Sequence, residues 1–170
     1  MALGACSGDP TLERFKSGAW DIEGKIDRVS DKPNYVAGML TRARSSSTEL
    51  FKLELANLQL LCFDDAPVVY FKFANKVGSN RYSRLSYRFD GNAGQSVNVR
   101  ILPDSKTIVI DDRNDVARFV DEMRTASNLI VQVFSLTKFL STADFKVEGA
   151  QKAIDAVYAG CPLPQKPLAS

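Results

Sequence analysis

The clearest pattern in the chain is period-two alternation. In residues 49–62, ELFKLELANLQLLC, Phe51, Leu53 and Leu55 alternate with Lys52 and Glu54, and Leu58 and Leu60 carry the period on to Cys62. Alternation of this kind marks a strand with one buried and one wet face. The apolar phase moves from odd to even positions across Ala56-Asn57, which predicts a bulge or tight turn there. Shorter stretches repeat the theme. Residues 18–27 alternate imperfectly around Trp20, and residues 35–44 read as a second strand after the turn formers VSDKPN. PVVYFKFAN, RYSRLSYRF, QSVNVRIL and SKTIVI follow, separated by turn chemistry such as Asp90-Gly91-Asn92.

The period then changes. Val116, Phe119, Val120 and Met123 fall at i, i+3, i+4 and i+7, predicting an amphipathic helix with Asn114 or Asp115 as its N-cap. SNLIVQVFSL returns to strand, and ADFKVEG is a short one. In residues 149–161, Ala150, Ala153, Ile154, Val157 and Tyr158 share one helical face, and Gly160 stops the helix just before Cys161. Eight or nine short strands with close turns predict a mainly-β (α+β) fold, an antiparallel β-sandwich with two late helices packed on it. One domain is expected over residues 18–161, preceded by a tether (1–17) and followed by a Pro-rich tail (162–170).

Composition narrows the chemistry more than the fold. The 170 residues are 45% hydrophobic and 25% charged, an ordinary globular balance that argues against disorder, collagen and coiled coil. Net charge is +2 with the basic residues dispersed, so there is no basic stripe for nucleic acid. There is no histidine, which removes Ser/His/Asp and Cys/His nucleophilic sites in their usual form and His-containing zinc sites; the three cysteines are one thiolate short of an all-cysteine zinc site. Asp64-Asp65 and Asp111-Asp112 are paired carboxylates at strand ends, read as turn residues rather than as metal or acid–base groups. No metal, cofactor or catalytic residue is assigned, and the chain is read as non-enzymatic.

The cysteines divide two plus one. Cys62 ends a strand and Cys161 follows the last helix; a disulfide between them would close a loop of about 100 residues, worth on the order of 4–5 kcal/mol in the chain-entropy model. It would also need an oxidising compartment. The alternative is two separate buried thiols. Cys6 stands in L-G-A-C, which resembles the lipobox of bacterial lipoproteins: small side chains flank the scissile bond and the cysteine sulfur carries the lipid. On that reading Leu3, Gly4 and Ala5 are signal-peptide remnant, Cys6 is the lipidated first residue, and Ser7 after it fits sorting to the periplasmic face of the outer membrane.

One strand holds the candidate partner-binding residues, Arg84, Tyr87 and Arg88, because Arg and Tyr are enriched in binding hot spots. Arg84, Ser86, Arg88 and Asp90 share one of its faces, and Tyr87 and Phe89 the other.

The order of features is similar to that of small exported β-sandwich proteins of Gram-negative bacteria. These features are Trp20, the strand ending in Cys62, PVVYFKF, the Y-R-F-D stretch (Tyr87 to Asp90), L-I-V-Q-V, and the closing run with Phe145, Gly149, Ala150, Ala153, Ile154 and Cys161. The chain resembles the VasI/TagO-type accessory proteins of type VI secretion and, more loosely, the invasion-associated locus B family. The resemblance implies a secretion-associated accessory or assembly role with an envelope protein as partner. Two rivals remain: a module for envelope glycan or a small ligand, with an aromatic cleft around Tyr82, Tyr87 or Trp20, and a hydrolase with two facing acids.

Overall fold

Strands with one apolar face can bury it by stacking two sheets or by curling one sheet closed, and this chain takes the second course. The computed structural model describes residues 11–45, 54–78, 82–134 and 140–165. Their strands are β1 (Thr11–Ser17), β2 (Trp20–Ile26), β3 (Pro33–Ser45), β4 (Glu54–Phe63), β5 (Ala66–Phe73), β6 (Tyr82–Phe89), β7 (Gln95–Ile101), β8 (Thr107–Ile110), β9 (Asn128–Phe134) and β10 (Leu140–Lys146). The helices are α1 (Arg113–Met123) and α2 (Ala150–Tyr158).

The strands form one antiparallel sheet, β1-β2-β3-β10-β9-β6-β7-β8-β5-β4, and β4 returns to pair with β3. An eight-stranded barrel results, with the β1–β2 hairpin attached to its outside edge at β3. The expected sandwich is therefore corrected to a barrel. The cause is β3, 13 residues long. One of its edges pairs with β4; the other pairs with β2 in its first half and with β10 at Ala43, Arg44 and Ser45. The meander β6–β7–β8 is inserted between β5 and β9, so the chain reaches β9 from β8 only by crossing one end of the barrel, and α1 makes that crossing.

The interior is packed with side chains. Leu58, Leu60, Phe71, Phe73, Leu85, Phe89, Val131, Val133 and Phe145 point into a single buried cluster. Phe119 of α1 closes the end of the barrel on them, its ring 5.0 Å from those of Tyr87 and Phe89 and 5.9 Å from that of Phe71. These separations are those of edge-to-face or tilted pairs, which add to burial. Trp20 is buried where β2 and β10 diverge, and its indole N–H donates to the Val147 carbonyl.

Local differences have local causes. Residues 11–17, expected as tether, form β1 because their backbone pairs with β2. The first helix starts earlier than its apolar pattern suggests: Asp112, not Asn114 or Asp115, is the N-cap, accepting from the N–H groups of both. No bulge appears at Ala56-Asn57; β4 runs in unbroken register from Ala43↔Glu54 to Ala37↔Leu60. Even residues of β4 therefore point inward, so Leu55 is exposed and Glu54, read as wet, is buried with Asn75 donating to one carboxylate oxygen. Leu58 and Leu60 set the phase, because the register carries both into the core.

Candidate functional site

Two regions hold the described residues that the sequence singles out: the two later cysteines and the outer face of β6. Cys62, at the end of β4, and Cys161, past α2, are joined by a disulfide with Cα atoms 5.9 Å apart. The expected pairing is present. It fixes the end of α2 to the barrel wall, and Tyr158 adds a second tie by donating its hydroxyl to the Val68 carbonyl at 2.9 Å. Burial pushes the Tyr158 phenol well above its ordinary range. Cys6 lies outside the described residues.

Cys62 borders an open groove of about 460 Å³ that also gathers Asp27, Asp64 and Asp65. Asp64-Asp65, one of the two paired carboxylates the sequence offers, stands here. Asp64 and Asp65 form the tight β4–β5 turn, both with positive φ. Asp27 accepts from Ser30 and Val29, which holds its carboxyl below the ordinary range, the opposite of what a general acid needs. Asp111 is paired with Arg100 at 2.9 Å, and Asp112 caps α1. Among the described residues no group of three or more Asp, Glu or Cys is arranged to hold a metal ion.

On β6, alternation divides the candidate residues. Arg84, Ser86 and Arg88 point outward and are exposed. Tyr87 points inward, is 3% exposed, and packs on Phe119. It leaves the candidate surface, a correction that follows from strand geometry: neighbours in sequence lie on opposite faces. Its hydroxyl donates to Gln95, and Gln95 donates to Glu122 on α1 at 2.6 Å. Burial, together with the Glu122 charge, raises the Tyr87 pKa. Trp20 is also buried, so an aromatic cleft is not built from Trp20 and Tyr87.

The register supplies the neighbours of the two arginines. Ser86 lies between Ser96 of β7 and Gln132 of β9; Arg88 is opposite Ile130, and Arg84 opposite Asn98. Short side chains at Ser86 and Ser96, whose hydroxyls are 3.1 Å apart, leave an open trough of about 430 Å³ beside Arg88. Ser96, Ile130 and Gln132 were not legible as site residues, since only pairing between distant segments brings them to β6. Neither arginine forms an ion pair with a described residue, whereas Arg14, Lys16, Lys25, Arg100, Arg118 and Arg124 each reach a carboxylate.

Along β6 and β7 the outward residues are polar and the inward ones apolar, whereas β9 also turns Ile130 and Phe134 outward. Strand barrels that span membranes carry the reverse arrangement. Among the described residues no helix is long and apolar enough to cross a membrane. No protein-family model, no curated protein and no solved structure matches the chain.

Proposed function

We propose that this protein is a non-enzymatic envelope lipoprotein of a Gram-negative bacterium, held to the periplasmic face of the outer membrane through Cys6. It serves as an accessory or assembly factor that binds another envelope protein, in the manner of the VasI/TagO-type secretion proteins its sequence resembles. The observation that carries this reading is the Cys62–Cys161 disulfide. Such bonds persist in oxidising compartments and are rare in the cytosol. The pairing also leaves Cys6 as the unmatched cysteine, in the sequence context of a lipobox.

Two further features support a binding role. The filled barrel interior argues against the enclosed-ligand use of eight-stranded barrels. Recognition is then a matter of the outer surface, where Arg84 and Arg88 stand exposed on a rigid sheet.

The test is the intact mass of the protein expressed with its native upstream sequence and recovered from envelope fractions, with and without reductant before alkylation. Cleavage before Cys6, an added diacylglycerol and N-acyl chain, and two thiols labelled only after reduction are expected. An unmodified amino terminus with three freely alkylated thiols overturns the proposal.

A further inference from the structure

We propose that the outer face of β6 from Arg84 to Arg88 is a docking surface for an extended acidic segment of a partner polypeptide. The inference rests on reading the protein as a protein-binding module and specifies which partner chemistry fits.

Spacing is the first argument. Arg84 and Arg88 are four residues apart on one strand face, so their Cα atoms are separated by about 13 Å. An extended peptide with acids at i and i+4 repeats the same spacing, because it has the same rise per residue.

Charge is the second argument. Both arginines are exposed and form no ion pair with a described residue. The acids nearest in the lattice of strands are otherwise placed. Asp90 accepts from the backbone N–H groups of Ser127 and Asn128. Asp144 belongs to β10, beyond Ile130, in the row that contains Arg88. Arginine clusters recognise acidic motifs through charge-assisted, forked hydrogen bonds.

Shape is the third. Beside Arg88 the Ser86 and Ser96 hydroxyls form the low floor of an open trough of about 430 Å³, bordered by Gln132, and Ser86 is the outward residue between the two arginines on β6. Donors and acceptors there suit the polar atoms of a backbone lying along the strand. The exposed Phe134, next in register after Val133↔Leu85, supplies an apolar contact at the Arg84 end. β6 is hydrogen-bonded on both edges, by β7 and β9, so the platform is preorganised and its own backbone is not the docking group.

The experiment uses the full-length oxidised protein and fluorescein-labelled poly-L-glutamate, with anisotropy read across a salt series. Polygalacturonate of matched charge is the comparison ligand. Wild type is expected to bind poly-L-glutamate in preference to polygalacturonate and to release it as salt rises. The Arg84→Gln/Arg88→Gln double variant is expected to bind about tenfold more weakly or worse with an unchanged melting midpoint. Arg42→Gln, an exposed arginine of β3, serves as the control and is expected to bind like wild type.

Equal binding by the double variant and wild type overturns the inference, and so does equal loss in the Arg42→Gln control. Preference for polygalacturonate overturns the polypeptide assignment in favour of an acidic glycan. These outcomes are separate from the mass measurement above. A lipidated, oxidised protein whose poly-L-glutamate binding ignores Arg84 and Arg88 overturns this inference alone. An unprocessed, reduced protein overturns the reading beneath it.

Discussion

At the scale of single residues, the tightest constraint lies where two turns meet. Gly18, between β1 and β2, and Gly149, before α2, both have positive φ. A Cβ on Gly149 would stand 2.8 Å from the Ser17 backbone, and Ser17 already donates to the Gly149 carbonyl. Gly149→Ala therefore meets both a left-handed backbone and a backbone clash, and should destabilise the fold by about 2 kcal/mol or more. A urea denaturation midpoint reads this directly, and a midpoint equal to wild type would contradict the close approach.

Asp90 gives a second residue-scale expectation. N–H groups of Ser127 and Asn128 hold its carboxyl below the ordinary range. Its folded pKa lies below the unfolded value of about 4, so its contribution is full above that pH and fades as pH falls through the folded pKa. Asp90→Asn should be less stable than wild type at pH 7, and the two should converge below about pH 4. Melting curves taken between pH 7 and pH 2 decide it. A constant gap across that range would show that Asn simply fits the turn worse.

At the scale of elements, the disulfide is the main tie between helix and barrel. It joins β4 to the segment after α2 across a sequence separation of 99. Replacing Cys161 by Ser should cost about 3–5 kcal/mol. In denaturant the reduced wild type should then unfold at the same midpoint as Cys161→Ser, with the oxidised protein well above both. Coincidence of oxidised and reduced wild type would remove the staple from the account. Much at this scale was legible in the sequence. The face that α1 buries, Val116, Phe119, Val120 and Met123, is the one its i, i+3, i+4, i+7 spacing marks. The α2 face follows Ala150, Ala153, Ile154, Val157 and Tyr158 in the same way. Helix periodicity survives because each face meets one continuous apolar surface. The β4 phase differs from the expected one because Leu55, which continues the odd-numbered alternation, is turned outward by the register with β3; Phe51 and Leu53 lie outside the described residues.

At the scale of the whole molecule, closure of the sheet decides what can be bound and where. A closed barrel has no edge to offer between β3 and β4, and its interior is occupied by its own aromatic residues. The free edge lies in the appended β1, whose exposed Arg14 and Lys16 and irregular register at Thr11/Glu13 discourage strand addition. On the proposed binding role, recognition falls to outward side chains. β6, in the middle of the β7–β6–β9 wall, presents them in a straight row.

The sequence by itself determined which residues of most strands face inward, where the two helices lie and which faces they bury. It also placed Cys62 and Cys161 at the ends of two structural elements, as a disulfide or as two separate buried thiols. These are local properties: alternation and helical spacing are set by backbone geometry within a few residues. The tertiary structure decided that the sheet closes rather than stacks, that residues 11–17 form a strand, that Cys62 and Cys161 are joined, and that Ser96 and Gln132 flank Ser86. The reason is physical. One apolar face per strand is satisfied equally by a sandwich and a barrel, and hydrogen-bonding partners are chosen between segments far apart in the chain, which no local pattern encodes.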